Sequence, residues 1–306
     1  MSDLGVLLMA YGGPNSLEEV EPYLLDVRGF RETPRALVEA VRARYERIGG
    51  RSPILERTRA QARALEEALR ALGTPFVVEV GMRHWHPLIG DALARLERRG
   101  ARRVVGLVMA PHYSRLSVGR YFKRVESTDV AATVAPILEW HLAPGYVRAL
   151  AERVRCALER FPEAVRDRVP VIFTAHSLPE RIRDTDDPYP DQLAATVRAV
   201  SALLGKQPHR FAYQSAGRTP ERWLGPDVGD VVEWLARSGV RDVLVAPIGF
   251  VSEHLEILYD LDVELRERGA TLGVRLERIE MLGEHPQMIA ALAELVRARA
   301  IEAGWL

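Results

Sequence analysis

The chain has 306 residues, with 42 Lys and Arg against 42 Asp and Glu, so its formal net charge is zero. A balanced chain makes no field that would gather nucleic acid or an anionic membrane, and 47% hydrophobic with 27% charged residues is the mix of a soluble globular protein. The length suits two lobes of about 150 residues each.

The opening MSDLGVLLMAYGG has no basic segment, and its short apolar run ends in a turn. It reads as a strand at 5–9 and not as a signal peptide. Further apolar runs predict strands at 76–80, 103–109, 133–138, 171–174, 210–213, 243–247 and 274–279. Amphipathic stretches between them predict helices near 16–27, 35–48, 55–72, 87–98, 115–127, 146–159, 188–204, 228–238, 253–268 and 286–303. Continuous apolar strands separated by helices indicate parallel strands buried on both faces, hence an α/β fold. No run of about 18 apolar residues occurs, so no membrane span is expected and the default setting is the cytoplasm. Cys156 is the single cysteine, which excludes an internal disulfide, a Cys-rich zinc site and a four-Cys iron–sulfur cluster.

The second half reads as a variant of the first. LLMAYGGP at 7–14 corresponds to VIFTAHSLP at 171–179, RRVVGLVMAPHYS at 102–114 to RDVLVAPIGFVSEH at 241–254, and APILEWHLAPGY at 135–146 to VRLERIEMLGEHP at 274–286. Any two α/β stretches share some likeness, but a duplication predicts two lobes with four strands each in one order. The division falls at 1–144 and 145–306, with the last helix packing back on the first lobe. Ligands of open α/β sheets bind beyond the carboxyl ends of the strands, so two such lobes define a cleft. Gly12-Gly13 and Gly49-Gly50 are isolated pairs, and neither dinucleotide nor P-loop fingerprint occurs, so no nucleotide cofactor is expected.

Four groups of residues carry candidate chemistry. His176 ends a predicted strand in TAHSLPER; it either bonds a backbone carbonyl or offers an imidazole that takes a proton or a metal. Glu256, Asp260 and Glu264 recur at i, i+4 and i+8 of one predicted helix, a face without Lys or Arg until Arg266. Like charges at that spacing destabilise a helix by about 0.2–0.5 kcal/mol per pair. The column is either a solvated acidic face or a set of oxygen ligands for a divalent ion or protons. Leu255, Leu258, Leu261 and Leu265 form the apolar stripe of that helix, and Asp262 lies off the acidic face. In the first half, Arg28, Arg31, Arg44, Tyr45, Ser52, Ser114, Ser117, Tyr121 and Lys123 supply forks and hydroxyls that match carboxylates, though each alone could be surface polarity. His84 and His86 flank Trp85. On a strand they would face one side as a metal pair, but no acidic third ligand is nearby in sequence, which favours a structural role.

The motifs LLMAYGGP, RYERIGGRSP, APHYSRLSVGRYFKR, TAHSLPERI, DPYPDQL, YQSAGRTPERWLGPDV and APIGFVSEHLEILYDLDVE together resemble the ferrochelatase family, in family order over nearly the whole chain. The closer resemblance is to coproporphyrin III ferrochelatases. It implies two Rossmann-like lobes, each a four-stranded parallel sheet flanked by helices, around a porphyrin cleft. His176 matches the family's cleft histidine and Glu256 its carboxylate partner, together the Fe(II) site. Asp260 and Glu264 match the outer steps of an acidic ladder associated with an accessory divalent ion such as Mg(II). Tyr11 matches the tyrosine of the porphyrin-facing loop in the coproporphyrin branch. Arg28, Arg44, Tyr45, Ser52 and Tyr121 match positions that line the porphyrin or hold its propionates. The chain departs in carrying Gly13 where close relatives often have Thr, and in the residues around Arg28.

The resemblance implies a lyase of haem biosynthesis that inserts Fe(II) into coproporphyrin III, releasing two protons, without organic cofactor or iron–sulfur cluster. A monomer is expected, with transient contact to a downstream coprohaem decarboxylase. Protoporphyrin IX as substrate, cobalt or nickel insertion into a sirohydrochlorin-type ring, and a non-catalytic haem or porphyrin carrier are the alternatives.

Overall fold

The computed structural model describes residues 3–217 and 219–306. The first half holds β1 (Leu4–Ala10), α1 (Val20–Val27), α2 (Arg35–Arg47), α3 (Ile54–Ala71), β2 (Val77–Met82), α4 (Ile89–Arg98), β3 (Arg103–Val108), α5 (Val118–Glu126) and β4 (Thr133–Ile137). The second holds α6 (Pro144–Leu158), α7 (Glu163–Arg166), β5 (Val171–His176), α8 (Tyr189–Leu204), β6 (His209–Gln214), α9 (Val228–Arg237), β7 (Asp242–Pro247), α10 (Leu255–Leu258), α11 (Arg266–Thr271), β8 (Arg275–Arg278) and α12 (Pro286–Glu302). The strands form two all-parallel four-stranded sheets in the same order, β2-β1-β3-β4 and β6-β5-β7-β8. β1 and β5 therefore hold equivalent central places, and so do the residues that follow them.

Both central strands are apolar because helices cover both sheet faces; every residue of Leu4–Ala10 is buried. One continuous apolar core joins the two halves. It contains Leu65 and Leu69 of α3, Tyr146, Leu150 and Val154 of α6, and Met288, Leu292 and Val296 of α12. α12 follows the second sheet in sequence but packs on α3, α6 and β4. Each such fully buried aliphatic side chain stabilises the fold by about 1.5–3 kcal/mol. A common core of this kind fixes the spacing of the lobes. α1 and α2 lie apart from it. They form a separate cluster around Val20, Tyr23, Leu24, Val38 and Tyr45, with Trp85 and Leu255 packed against them.

Three predicted helices differ in detail. The 16–27 stretch enters through a 3-10 turn at Leu17–Glu19 before α1, and the 115–127 stretch becomes helical only at Val118. The 253–268 stretch is not one α-helix. One turn at α10 passes into a π-helical segment at Asp260–Leu265 and then into α11. The Tyr259 carbonyl accepts from both Val263 N (3.1 Å) and Glu264 N (2.8 Å), which marks where the winding changes. The buried stripe is Ile257, Leu261 and Leu265, while Leu255 turns towards the α1–α2 cluster. The short α7 and a 3-10 turn at Glu180–Thr185 were not expected from the sequence. Among the described residues no helix is long and apolar enough to cross a membrane.

Candidate active site

The carboxyl ends of both sheets open on one cleft of about 420 Å³. Its walls combine Tyr11, Tyr23, Tyr45, Ser52, Arg83 and Tyr121 from the first half with His176, Tyr189, His254 and Glu256 from the second. The apolar parts of α1 and α2, including Leu24, Val27 and Val41, close one side. An aromatic cleft with few convergent polar groups suits a flat, largely apolar ligand.

The polar centre is a pair. His176 stands at the end of β5, and its Nδ1 lies 3.1 Å from Oε2 of Glu256, on the single turn of α10. The two side chains keep 32% and 36% of their surface open, into the cleft. Burial works against the charged imidazole of His176, but the Glu256 carboxylate beside it raises its pKa above the ordinary value. Burial alone would likewise lift Glu256, yet His176 holds it below the usual carboxylate range. Across this hydrogen bond each group favours the charged form of the other. The scaffold of the pair is specific: Tyr189 Oη donates to the His176 carbonyl (2.9 Å), Glu256 N donates to His254 Nδ1 (3.2 Å), and Gln214 Nε2 donates to the Glu256 carbonyl (2.9 Å). Burial pushes the His254 imidazole down, so it serves as a neutral cap. Trp223 stands edge-on to His176 at 6.3 Å. Among the described residues no cluster of three or more His, Cys, Asp or Glu side chains is arranged to hold a metal ion. A metal at this pair would therefore complete its coordination with water or a ligand.

Asp260 lies one step further along the same segment. Burial pushes its carboxyl up to about 6, against the hydrogen bond that Ser215 Oγ donates to it at 2.5 Å. Arg44 reaches across from α2, with Nη1 3.7 Å from Asp260 Oδ1 and its guanidinium 5.0 Å from the Tyr259 ring centre. Glu264, the next step, is exposed. Asp262 does lie off this face, but it is not idle there. Arg278 grips it side-on, with Nε and Nη2 each 2.8 Å from a carboxylate oxygen.

In the first half, Tyr11 follows β1 as His176 closes β5. Burial pushes the Tyr11 phenol up to about 12. Tyr45 and Tyr121 are also raised by burial, so all three are neutral phenols at pH 7. Ser52 lies so close to the backbone that a Cβ on Gly13 would meet its Oγ at 2.6 Å. A threonine at position 13 would displace Ser52, which gives the Gly13 departure a steric reason.

Sequence reasoning missed Arg83. Its guanidinium lies 5.7 Å from the Tyr11 ring centre and 5.3 Å from that of Tyr121. Among the described residues it has no hydrogen bond or ion pair, although burial pushes its pKa down. Arg83 stands within GMRHWHP, where the neighbouring histidines are the stronger chemical signal in the sequence. Those do not form a pair. His84 is buried with Nδ1 2.6 Å from Asp26 Oδ1, so the acidic neighbour absent from the local sequence comes from α1; burial pushes its pKa down to about 4, and its ring is 4.6 Å from that of Tyr11. His86 points to solvent, 3.8 Å from Asp91.

Of the other first-half residues, Tyr45, Ser52, Ser117 and Tyr121 line the cleft. Arg28 and Arg44 do not: Arg28 bonds the Glu32 carbonyl at 3.4 Å, and Arg44 turns to Asp260. Arg31 bonds the Arg28 carbonyl, Ser114 Oγ donates to the buried Asp187, and Lys123 is exposed.

The model of the family described as Ferrochelatase matches residues 3–300. The chain belongs to the ferrochelatase family. A ferrochelatase of Deinococcus radiodurans is 43% identical over 98% of this chain and 96% of its own length. A coproporphyrin III ferrochelatase of Geobacillus kaustophilus is 39% identical over 98% and 97%. The solved structure of SirB from Bacillus subtilis with Fe3+ has a TM-score of 0.58 at 12% identity, covering 98% of this chain and 97% of that one, a likeness of fold alone. Both names occur among relatives of similar identity; one names coproporphyrin III and the other names no porphyrin.

Proposed function

We propose that this ferrochelatase inserts Fe(II) into coproporphyrin III, and that the His176–Glu256 pair at the floor of the cleft is the observation that carries the reading. Metal insertion poses two problems. Fe(II) must shed water, and two pyrrole N–H groups must lose protons. Imidazole and carboxylate are suitable first ligands for Fe(II), and the same atoms accept protons. A proton that Glu256 helps to hold on His176 must leave before the imidazole can receive Fe(II). Two lobes held at a fixed spacing by one shared core can use remote binding energy to bend a macrocycle and so expose the nitrogens.

The preference for the more heavily carboxylated porphyrin rests on the first-lobe wall. Arg83 is an unpaired guanidinium stacked between two phenols, and a substrate propionate is the counter-charge it lacks. Tyr45, Ser52 and Tyr121 offer hydroxyls in the same cleft. Asp260 and Glu264 would hold a hydrated accessory cation such as Mg(II), which keeps most of its waters and needs only one or two carboxylates. A cytoplasmic monomer fits this reading. The deciding experiment is anaerobic Fe(II) insertion with coproporphyrin III and protoporphyrin IX in parallel. A higher kcat/KM for coproporphyrin III is expected. Equal or better performance with protoporphyrin IX overturns the substrate assignment, and stoichiometric binding without turnover would make the protein a carrier.

A further inference from the structure

The π-helical segment at Asp260–Leu265 is clamped from two sides. On one side Asp260 meets Ser215 and Arg44. On the other, Asp262 receives two parallel 2.8 Å hydrogen bonds from Arg278, with the side chains only 22% and 12% exposed. Arg278 is itself tied to the sheet. It closes β8, in register with Val245 of β7, and its Nη1 donates to the Ile279 carbonyl at 2.6 Å. The fork therefore anchors the segment to the sheet and not to another loop.

Wide π turns are rare and persist where the surroundings over-determine them, frequently at functional sites. Here the widened winding begins at the Tyr259 carbonyl, directly after α10. α10 is a single turn of four residues, Leu255–Leu258, and carries Glu256. One turn cannot set its own direction, so it takes it from the His254 cap before it and the anchored segment after it. The Arg278 charge also acts on His254, where it opposes protonation of the cap.

We infer that Asp262 and Arg278 are a positioning pair: their fork keeps the π turn wound so that Glu256 meets His176. The inference rests on the reading of His176 and Glu256 as the metal-receiving pair. Neither fork residue faces the cleft, and neither is a ligand. Removing one partner leaves the other buried and uncompensated, so the segment would relax towards ordinary α winding and carry Glu256 away from His176.

The test uses Co(II) alone as the probe, titrated into the protein and followed by its visible absorption, with His176→Ala as the control that assigns the signal. Arg278→Lys keeps the charge and removes the fork; Asp262→Asn keeps the shape and removes the charge. Each is first shown to be folded by near-ultraviolet circular dichroism. Both variants are expected to bind Co(II) about tenfold more weakly and to lose about tenfold in kcat, while metal-free porphyrin binds as in the wild type. A merely stabilising ion pair would lower the melting temperature and leave Co(II) affinity and kcat of the folded protein unchanged, which overturns the inference. Asp262→Asn/Arg278→Gln is expected to be no worse than the worse single variant; additive losses also overturn it. Should Asp262→Asn not fold, Arg278→Lys carries the test. A wild type that metallates no porphyrin refutes the functional reading alone, because the Co(II) titrations still decide whether the fork positions the pair.

Discussion

His176 and Glu256 are 80 residues apart in sequence, yet Nδ1 and Oε2 lie 3.1 Å apart, one at the end of a strand and the other on a single helical turn. The contact sets opposing shifts in the two groups. Burial disfavours both charges, and each charge in turn rescues the other.

That coupling predicts a pH profile. His176 must be neutral to receive Fe(II) or a pyrrole proton, and its folded pKa is raised above the ordinary 6.5. Insertion should therefore rise with pH through a midpoint above that value. In Glu256→Gln the largest force that raises His176 is gone while burial, which lowers it, remains. The acid limb of kcat/KM should then move to lower pH, with the plateau lower by about 100-fold from loss of the ligand. His176→Ala should lose a similar factor and show no limb in this range. An acid limb that stays in place in Glu256→Gln would mean that the pair is not coupled.

The unpaired guanidinium of Arg83 makes a separate prediction. Arg83→Leu should raise KM for coproporphyrin III by about tenfold and leave kcat close to wild type, as expected for binding energy shared by ground and transition states. Arg83→Lys should recover part of the loss, since a point charge replaces the stacked fork. The tetramethyl ester of the same porphyrin should not discriminate between wild type and Arg83→Leu. A kcat effect with unchanged KM would place Arg83 in the chemistry instead.

The fold was legible because it depends on period and order. Eight apolar runs gave eight strands, and the paired motifs AYGG and TAHS anticipated that β1 and β5 would hold equivalent central places in two sheets of one order. The pairing of His176 with Glu256 came instead from the family resemblance, and the structure brings the two side chains to 3.1 Å. What the sequence did not show depends on contacts between distant segments. Arg44 looks like a propionate ligand until α2 is laid against the acidic segment, where Asp260 engages it. His84 lacks an acidic neighbour until α1 brings Asp26. The i, i+4 spacing of Glu256, Asp260 and Glu264 looks like an α-helical column because a π turn leaves no signature in hydrophobic period.

Asp260 gives a stability prediction with a definite sign. Its folded pKa of about 6 lies above the ordinary 3.8, so the native state binds the proton more tightly than the unfolded chain between those values. Stability should fall as pH rises through that window, by no more than about 3 kcal/mol, and stay reduced above it. Asp260→Asn should therefore melt higher than wild type at pH 7.5, with the gap closing by pH 4. Millimolar Mg(II) should raise the melting temperature of the wild type at pH 7.5 and stimulate its activity. Both responses should shrink in Asp260→Ala/Glu264→Ala. An undiminished Mg(II) response in the double variant would mean that these residues hold no accessory cation.

Tyr11 and His176 follow equivalent strands of two similar sheets, and both line one cleft. Equivalent positions of facing lobes approach a flat ligand from opposite sides, so His176 is expected to address the ring nitrogens from one face and Tyr11 to meet the other. Burial has pushed the Tyr11 phenol to about 12, two units above its ordinary 10.0, which makes it a poor proton acceptor at neutral pH. Its expected contribution is to ring position, with the His84 ring at 4.6 Å and the Arg83 guanidinium at 5.7 Å holding the phenol. Tyr11→Phe keeps the ring contacts and removes only the hydroxyl. It should retain insertion activity within about tenfold of wild type, whereas His176→Ala falls by about 100-fold. The absorption spectrum of the bound iron product should nevertheless change, because the group facing the iron from the Tyr11 side has lost its oxygen. A structure of the complex with Tyr11 and His176 on the same side of the ring would break the pseudo-symmetry argument, and a product spectrum identical to wild type would remove the phenol from contact with the iron.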